Sequence, residues 1–169
     1  PYVVRVSISG AVPGVEVANY FTNRPYGSDP SEVKLIQMFA VDYDYLALYS
    51  PEMLCGRGFS EAYGNERNKV VLNEEAVRLL GYPSPEEALG KQLEMEVLED
   101  PLEVVGVVKN YHQQSLAEPY KPILFFLKER VPFIATPYIS VKMDGPVNSD
   151  CLAEVEQMYR TYFPSALFS

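Results

Sequence analysis

The chain has no tryptophan, one histidine and two cysteines among its 169 residues, and its 14 Lys and Arg are outnumbered by 23 Asp and Glu. Each shortage removes functions. A formal net charge of −9 argues against nucleic acid as a partner, because phosphate contacts need clustered cations. It argues equally against docking on an anionic membrane surface. A metal site built on His112 would need carboxylates grouped around it, and none is. Neither Cys55 nor Cys151 has a Cys or His at metal-ligand spacing, so zinc is not expected. Two buried free thiols are the reading; pairing in an oxidising compartment depends on a distance that sequence does not supply. No metal or other cofactor is expected. No apolar run approaches the ~20 residues that span a bilayer; the longest, PILFFL and VVGVV, have strand length. No signal peptide is visible in these residues. The chain starts at Pro1 without an initiator Met and stops after YFPSALFS, which reads as a piece of a longer protein carrying its targeting and membrane segments elsewhere.

What is present is a foldable chain, 47% hydrophobic, long enough for one domain or two small lobes. Residues 3–9 alternate like a strand, although Val4, Ile8 and Val12 would also share a helical face. Pro13-Gly14 makes a turn, VEVANYF reads as a strand, and NRPYGSDPS as a polar loop. EVKLIQMFAVD is a strand apolar on both sides and therefore covered. Asp42 or Asp44 caps a short helix that Pro51 stops. Gly56 and Gly58 flank Arg57 in a tight bend. KVVLN is a strand, and Asn73 caps a helix with Ala76, Val77 and Leu80 on its apolar face. Ser84, Pro85 and Glu87 open a second helical turn with a capping box, and Gly90 stops it. QLEMEVLED, with Leu93, Met95 and Val97 on one face, pairs with LEVVGVVKN as a hairpin. KPILFFLKE and PYISVKM are further strands. From Asn148 a final helix places Leu152, Val155, Met158, Tyr159 and Tyr162 at helical spacing, and Pro164 ends it. About seven strands and three or four helices in mixed order give an α+β fold with a mixed sheet.

Catalytic readings fail on spacing. His112 and Ser115 lie three apart where a strand end turns, and no G-x-S-x-G elbow surrounds the serine. ALGKQL imitates the end of a phosphate loop, but the positions for the first glycine and the hydroxyl residue hold Pro85 and Gln92. Glu74/Glu75, Glu86/Glu87 and Glu99/Asp100 fall at helix starts or a turn, where capping and dipole effects account for them. Thirteen tyrosines include Tyr43, Tyr45 and Tyr49, spaced to line one helix face. They can form an aromatic groove or simple packing.

One ordered pattern exceeds composition and periodicity: PGVE (13–16), VDYDYLALYSPEMLCGRGFSE (41–61), NKVVLNEEAVRLLG (68–81), EEALGKQL (86–93) and VVGVVKNYHQQSLAEPYKPILFFL (104–127). In these motifs the chain resembles the extracytoplasmic core domain of MacB/FtsX-type ABC transporter permeases. Asn110-Tyr111 stands where that family often has Asp-Phe. The resemblance implies a soluble loop on the periplasmic side of the bacterial inner membrane, between the first two of four membrane helices. It implies a porter-like lobe from residues 1–57 and 134–169 and an inserted lobe from 58–133. It implies a cytoplasmic ATPase subunit or domain, a permease homodimer and a periplasmic adaptor as partners. The domain would be non-catalytic and would couple ATP hydrolysis to export or other periplasmic work. The motif residues Gly56, Arg57, Asn73, Gly90, Gly106, Lys109, Asn110, His112 and Ser115 would then be structural, with His112 and Ser115 bonding backbone groups at the turn. A sensor module that recognises a peptide or recruits a cell-wall hydrolase is the alternative. A hydrolase using Ser115 and His112 ranks last.

Overall fold

A computed structural model describes residues 3–132, 134–146 and 148–164. The strands are β1 (Val3–Ser9), β2 (Tyr20–Pro25), β3 (Lys34–Val41), β4 (Met53–Gly56), β5 (Lys69–Asn73), β6 (Gln92–Met95), β7 (Leu102–Val108), β8 (Ile123–Leu127) and β9 (Tyr138–Met143). The helices are α1 (Tyr45–Tyr49), α2 (Glu74–Leu79), α3 (Pro85–Ala88) and α4 (Ser149–Tyr162). Two compact units result: Pro1–Val6 with Val141–Ser169, and Ser7–Ser140. The fold is α+β with a mixed sheet.

In the larger unit, β5 runs parallel to β7 and antiparallel to β8, while β8 runs parallel to β3. β6 pairs antiparallel with β7 and with β2. β2 divides its length: Tyr20–Asn23 pair with β3 and Asn23–Pro25 with β6. The pairings β2-β6-β7-β5-β8-β3-β2 therefore run round a closed circuit. Closure removes the free edges that would otherwise invite strand addition. β7 also divides one edge, giving Leu102 and Glu103 to β6 and Gly106–Val108 to β4.

Alternation explains the two cores. From β3, Ile36, Met38 and Ala40 join Val70, Leu72, Leu124 and Phe126 on one side, where α2 adds Ala76 and Val77. Phe39 and Val41 point the other way, onto Val71, Phe125 and the α1 residues Tyr45 and Leu46. Strands covered on both sides read as continuous apolar runs, which is why VVL and ILFFL are fully buried.

Three details differ from the sequence reading. Residues 15–19 are not strand. The Val12 and Val15 carbonyls accept from the Gln113 side-chain amide at 2.7 and 3.1 Å, and the Val17 carbonyl accepts from Gln37 Nε2 at 2.6 Å. Those side chains replace a ladder, and β2 starts at Tyr20 instead, running through residues expected as loop. β6 ends at Met95, where the Leu98 amide folds back to the Met95 carbonyl, so Val97 is exposed. β4 was not expected as a strand; it is four residues long.

In the smaller unit, β1 and β9 are neighbours. Asn148 caps α4 by accepting from the Cys151 amide at 2.9 Å. Cys151 is buried, with Sγ 3.1 Å from Met143 Sδ, and Cys55 is half-buried; both thiols are free. Leu152, Met158 and Tyr162 of the expected apolar stripe lie exposed.

Gly56 and Gly106 face each other across β4 and β7. A Cβ on Gly106 would sit 2.2 Å from the Arg57 carbonyl oxygen, and one on Gly56 would sit 2.3 Å from that of Val105. Backbone cannot yield as a side chain can. Gly90, by contrast, has open space and a φ of +72°. We expect Gly106→Ala to cost at least about 3 kcal/mol in urea unfolding, and Gly90→Ala only ~1 kcal/mol, the usual penalty of a left-handed non-glycine residue.

Candidate functional site

Asn73, Lys109 and Asn110 meet where β5 and β7 end, while Gly56, Arg57 and Gly90 lie against Val104–Gly106 within β7. Asn73, the last residue of β5, is fully buried. Its Oδ1 accepts from the Ala76 amide at 3.0 Å, capping α2, and from the Ile123 amide at 2.8 Å, starting β8. Its Nδ2 donates to the Lys121 carbonyl at 2.8 Å. Asn110, just past β7, caps the same helix: its Oδ1 accepts from the Glu75 amide at 2.9 Å, and its own amide donates to Glu74 Oε2 at 2.7 Å. The neighbouring Lys109 donates from its backbone amide to the Glu52 carbonyl at 2.8 Å and from Nζ to Glu52 Oε2 at 2.9 Å.

Arg57 follows the Gly56 bend. Its guanidinium forks onto the Glu66 carboxylate through two 2.7 Å bonds and lies 3.8 Å above the Tyr63 ring centre. Glu66 is 1% exposed and Arg57 is half-buried, so the bidentate pair is part-buried, and losing Arg57 strands the Glu66 carboxylate. Hydrogen bonds to Glu66, foremost, hold the Arg57 pKa above its ordinary value. Gly90 donates from its amide to the Val104 carbonyl at 2.8 Å, stitching the α3 turn to β7.

His112 and Ser115 do not meet. Ser115 Oγ accepts from the Ala117 amide at 3.2 Å, a local turn bond. The hydrogen bond expected at His112 is replaced by a ring contact, its centroid 4.5 Å from that of Tyr120. The hollow beside them holds about 10 Å³, too small for a substrate. Gln113 between them is the buried residue, 4% exposed. It ties this loop to the Pro13-Gly14 turn through its side chain and through its carbonyl, which accepts from the Gly14 amide at 2.7 Å.

Residues 2–153 match the family of the MacB-like periplasmic core domain. The chain belongs to that family. A similar protein is an uncharacterized ABC transporter permease, YvrN, of Bacillus subtilis, 33% identical over 122 residues. That alignment takes in 68% of this chain and 29% of the relative, so the chain spans about a third of that permease. The fold is that of the periplasmic region of MacB from Actinobacillus actinomycetemcomitans, with a TM-score of 0.66 at 18% identity over 96% of this chain and 69% of the other. It is equally that of the extracellular domain of YknZ, a noncanonic ABC-type transporter from Gram-positive bacteria: TM-score 0.66, 15% identity, 97% of this chain and 78% of the other. A domain of a putative permease from Porphyromonas gingivalis gives 0.62 at 13% identity, over 96% and 71%.

In this MacB-like domain the motif side chains are spent on backbone and on one another. Among the described residues no three His, Cys, Asp or Glu gather to hold a metal ion, and no helix is long and apolar enough to cross a membrane. Several larger hollows exist among the described residues, and two of them differ sharply in lining. One, of about 680 Å³, is an open cleft beside β2 and β6 where Glu94 pairs with Arg24 and Glu96, Glu99 and Asp100 add negative charge. The other, of about 330 Å³, is lined by Tyr45, Tyr49, Tyr111 and Phe125. Burial, as the largest cause, pushes the phenols of Tyr45 and Tyr111 well above their ordinary value, and a hydrogen bond links the two. Glu66, Gln113 and Tyr111 escaped the sequence reading. Glu66 lies in a polar loop, and its contacts with Arg57 and the Ser60 amide mark it.

Replacing Asn73 by Ala removes a helix cap and strands the Ile123 amide and Lys121 carbonyl. Urea unfolding should show a loss of about 2–4 kcal/mol. The raised phenols set an alkaline limit. Their pKa is higher folded than unfolded, so their contribution is intact below pH 10 and is lost as pH rises beyond it. Each buried phenol steepens the decline by up to about 1.4 kcal/mol per pH unit. The Tyr45→Phe/Tyr111→Phe double variant should show a shallower loss between pH 10 and 12 in melting curves.

Proposed function

We propose that this chain is a non-catalytic extracytoplasmic domain of an ABC transporter permease, coupling ATP hydrolysis by a cytoplasmic partner to export or other work outside the membrane. The observation that carries this reading is the fate of the motif side chains. Asn73, Asn110, Arg57 and Gln113 each lock two or more backbone segments together or hold a buried countercharge. Residues used this way stiffen a body; they do not attack a bond. A stiff body passes on displacement, and the closed circuit of strands in the larger unit serves that purpose. As the porter-like lobe we take the unit built from both chain ends, Pro1–Val6 with Val141–Ser169, in place of 1–57 and 134–169. A permease dimer and a periplasmic adaptor complete the reading.

The test uses the full-length permease with its ATPase. Replacing this domain by a short flexible linker should leave ATP hydrolysis in place and abolish transport. His112→Ala and Ser115→Ala should each leave transport within about twofold, because neither holds buried backbone. ATP hydrolysis by the isolated chain, or loss of transport in Ser115→Ala with folding intact, would contradict the proposal.

A further inference from the structure

The 330 Å³ hollow opens beside the core that Tyr45 and Phe125 help to build, and Tyr49 and Tyr111 are only partly buried against that core. Tyr45 and Tyr49 come from α1 with centroids 4.8 Å apart, and Phe125 stands 6.0 Å from Tyr45. Tyr111 and the prolines Pro13 and Pro51 close the sides. A cavity of about 150 Å³ already takes a benzene ring, so this one admits a bicyclic ring. Aromatic walls favour a flat, neutral ring packed edge-on or offset. Lys109 and Glu52 stand at the rim. Their charges pair at 2.9 Å with side chains 54% and 63% exposed. An exposed pair of this kind contributes little stability, so a ligand can open it at small cost. It offers one cation and one anion side by side above an aromatic well.

We propose that this hollow is a binding site for a small zwitterion with an aromatic side chain, an aromatic α-amino acid, its ring between Tyr49 and Tyr111 above the buried Tyr45 and Phe125, its carboxylate on Lys109 and its ammonium on Glu52. The site lies within residues 13–125 and does not depend on the coupling role, so either idea can fail alone.

The absence of tryptophan makes the test direct. Indole emission then comes from the ligand only. L-tryptophan titrated with the chain should show a saturable blue shift. Tryptamine and N-acetyl-L-tryptophan, each lacking one charge, should bind about threefold more weakly, and indole more weakly again. Tyr49→Ala should weaken all four about tenfold. Lys109→Ala should bring tryptophan down to the level of tryptamine, and Glu52→Ala down to that of N-acetyl-L-tryptophan. Should Tyr49→Ala fail to fold, these two exposed rim variants carry the test. No saturable shift with tryptophan, or equal affinity for the four probes, would overturn the proposal.

Discussion

One carboxamide fixes the centre of this molecule. Asn73 ends β5, begins α2 and sets the start of β8, using Oδ1 twice and Nδ2 once. Fully buried, it has no water to fall back on, so all three bonds must form together or the fold loses them together. β5 lies between β7 and β8. Its end therefore determines where the helix covering one core begins and where the most buried strand enters. Asn110 supplies the neighbouring cap from the end of β7. Gly56 and Gly106 let β4 and β7 approach closely, and Arg57, just past that bend, holds Glu66.

The family motifs are thus a record of packing constraints. VVLNE is a buried strand, an amide knot and an acidic first helical turn. GRGF is a bend that only glycine permits, followed by a half-buried guanidinium that forks onto a buried carboxylate. VVGVV needs its glycine because the Arg57 carbonyl lies where a Cβ would be. At each of these positions packing or a backbone bond accounts for the residue.

Much of this was legible in the chain. The two-sided strand 34–41, the caps at Asn73, Ser84 and Asn148, and the β6–β7 hairpin follow from local chemistry, and all are found. The capping box at Ser84 formed in part, its Oγ accepting from the Glu87 amide at 3.4 Å. What stayed hidden depends on distant partners. Residues 15–19 look like a strand, yet Gln37 and Gln113 take their carbonyls from 20 and 98 positions away. Glu66 resembles any surface acid until Arg57 folds over it. The splitting of β2 between β3 and β6 closes the strand circuit, and no periodicity reports it. At His112 the reading foresaw a backbone hydrogen bond where a ring contact with Tyr120 stands; an imidazole offers either, and only the Tyr120 position decides.

If the junction at Asn73 binds β5, α2 and β8 into one cooperative body, its amides cannot open separately. Native-state hydrogen exchange on the chain measures this. Ala76, Ile123 and Asn110 should exchange with the same opening free energy as Val71 and Phe125 in the covered strands. Exchange at Ala76 or Ile123 through a local opening several kcal/mol cheaper than that of the strands would contradict the account.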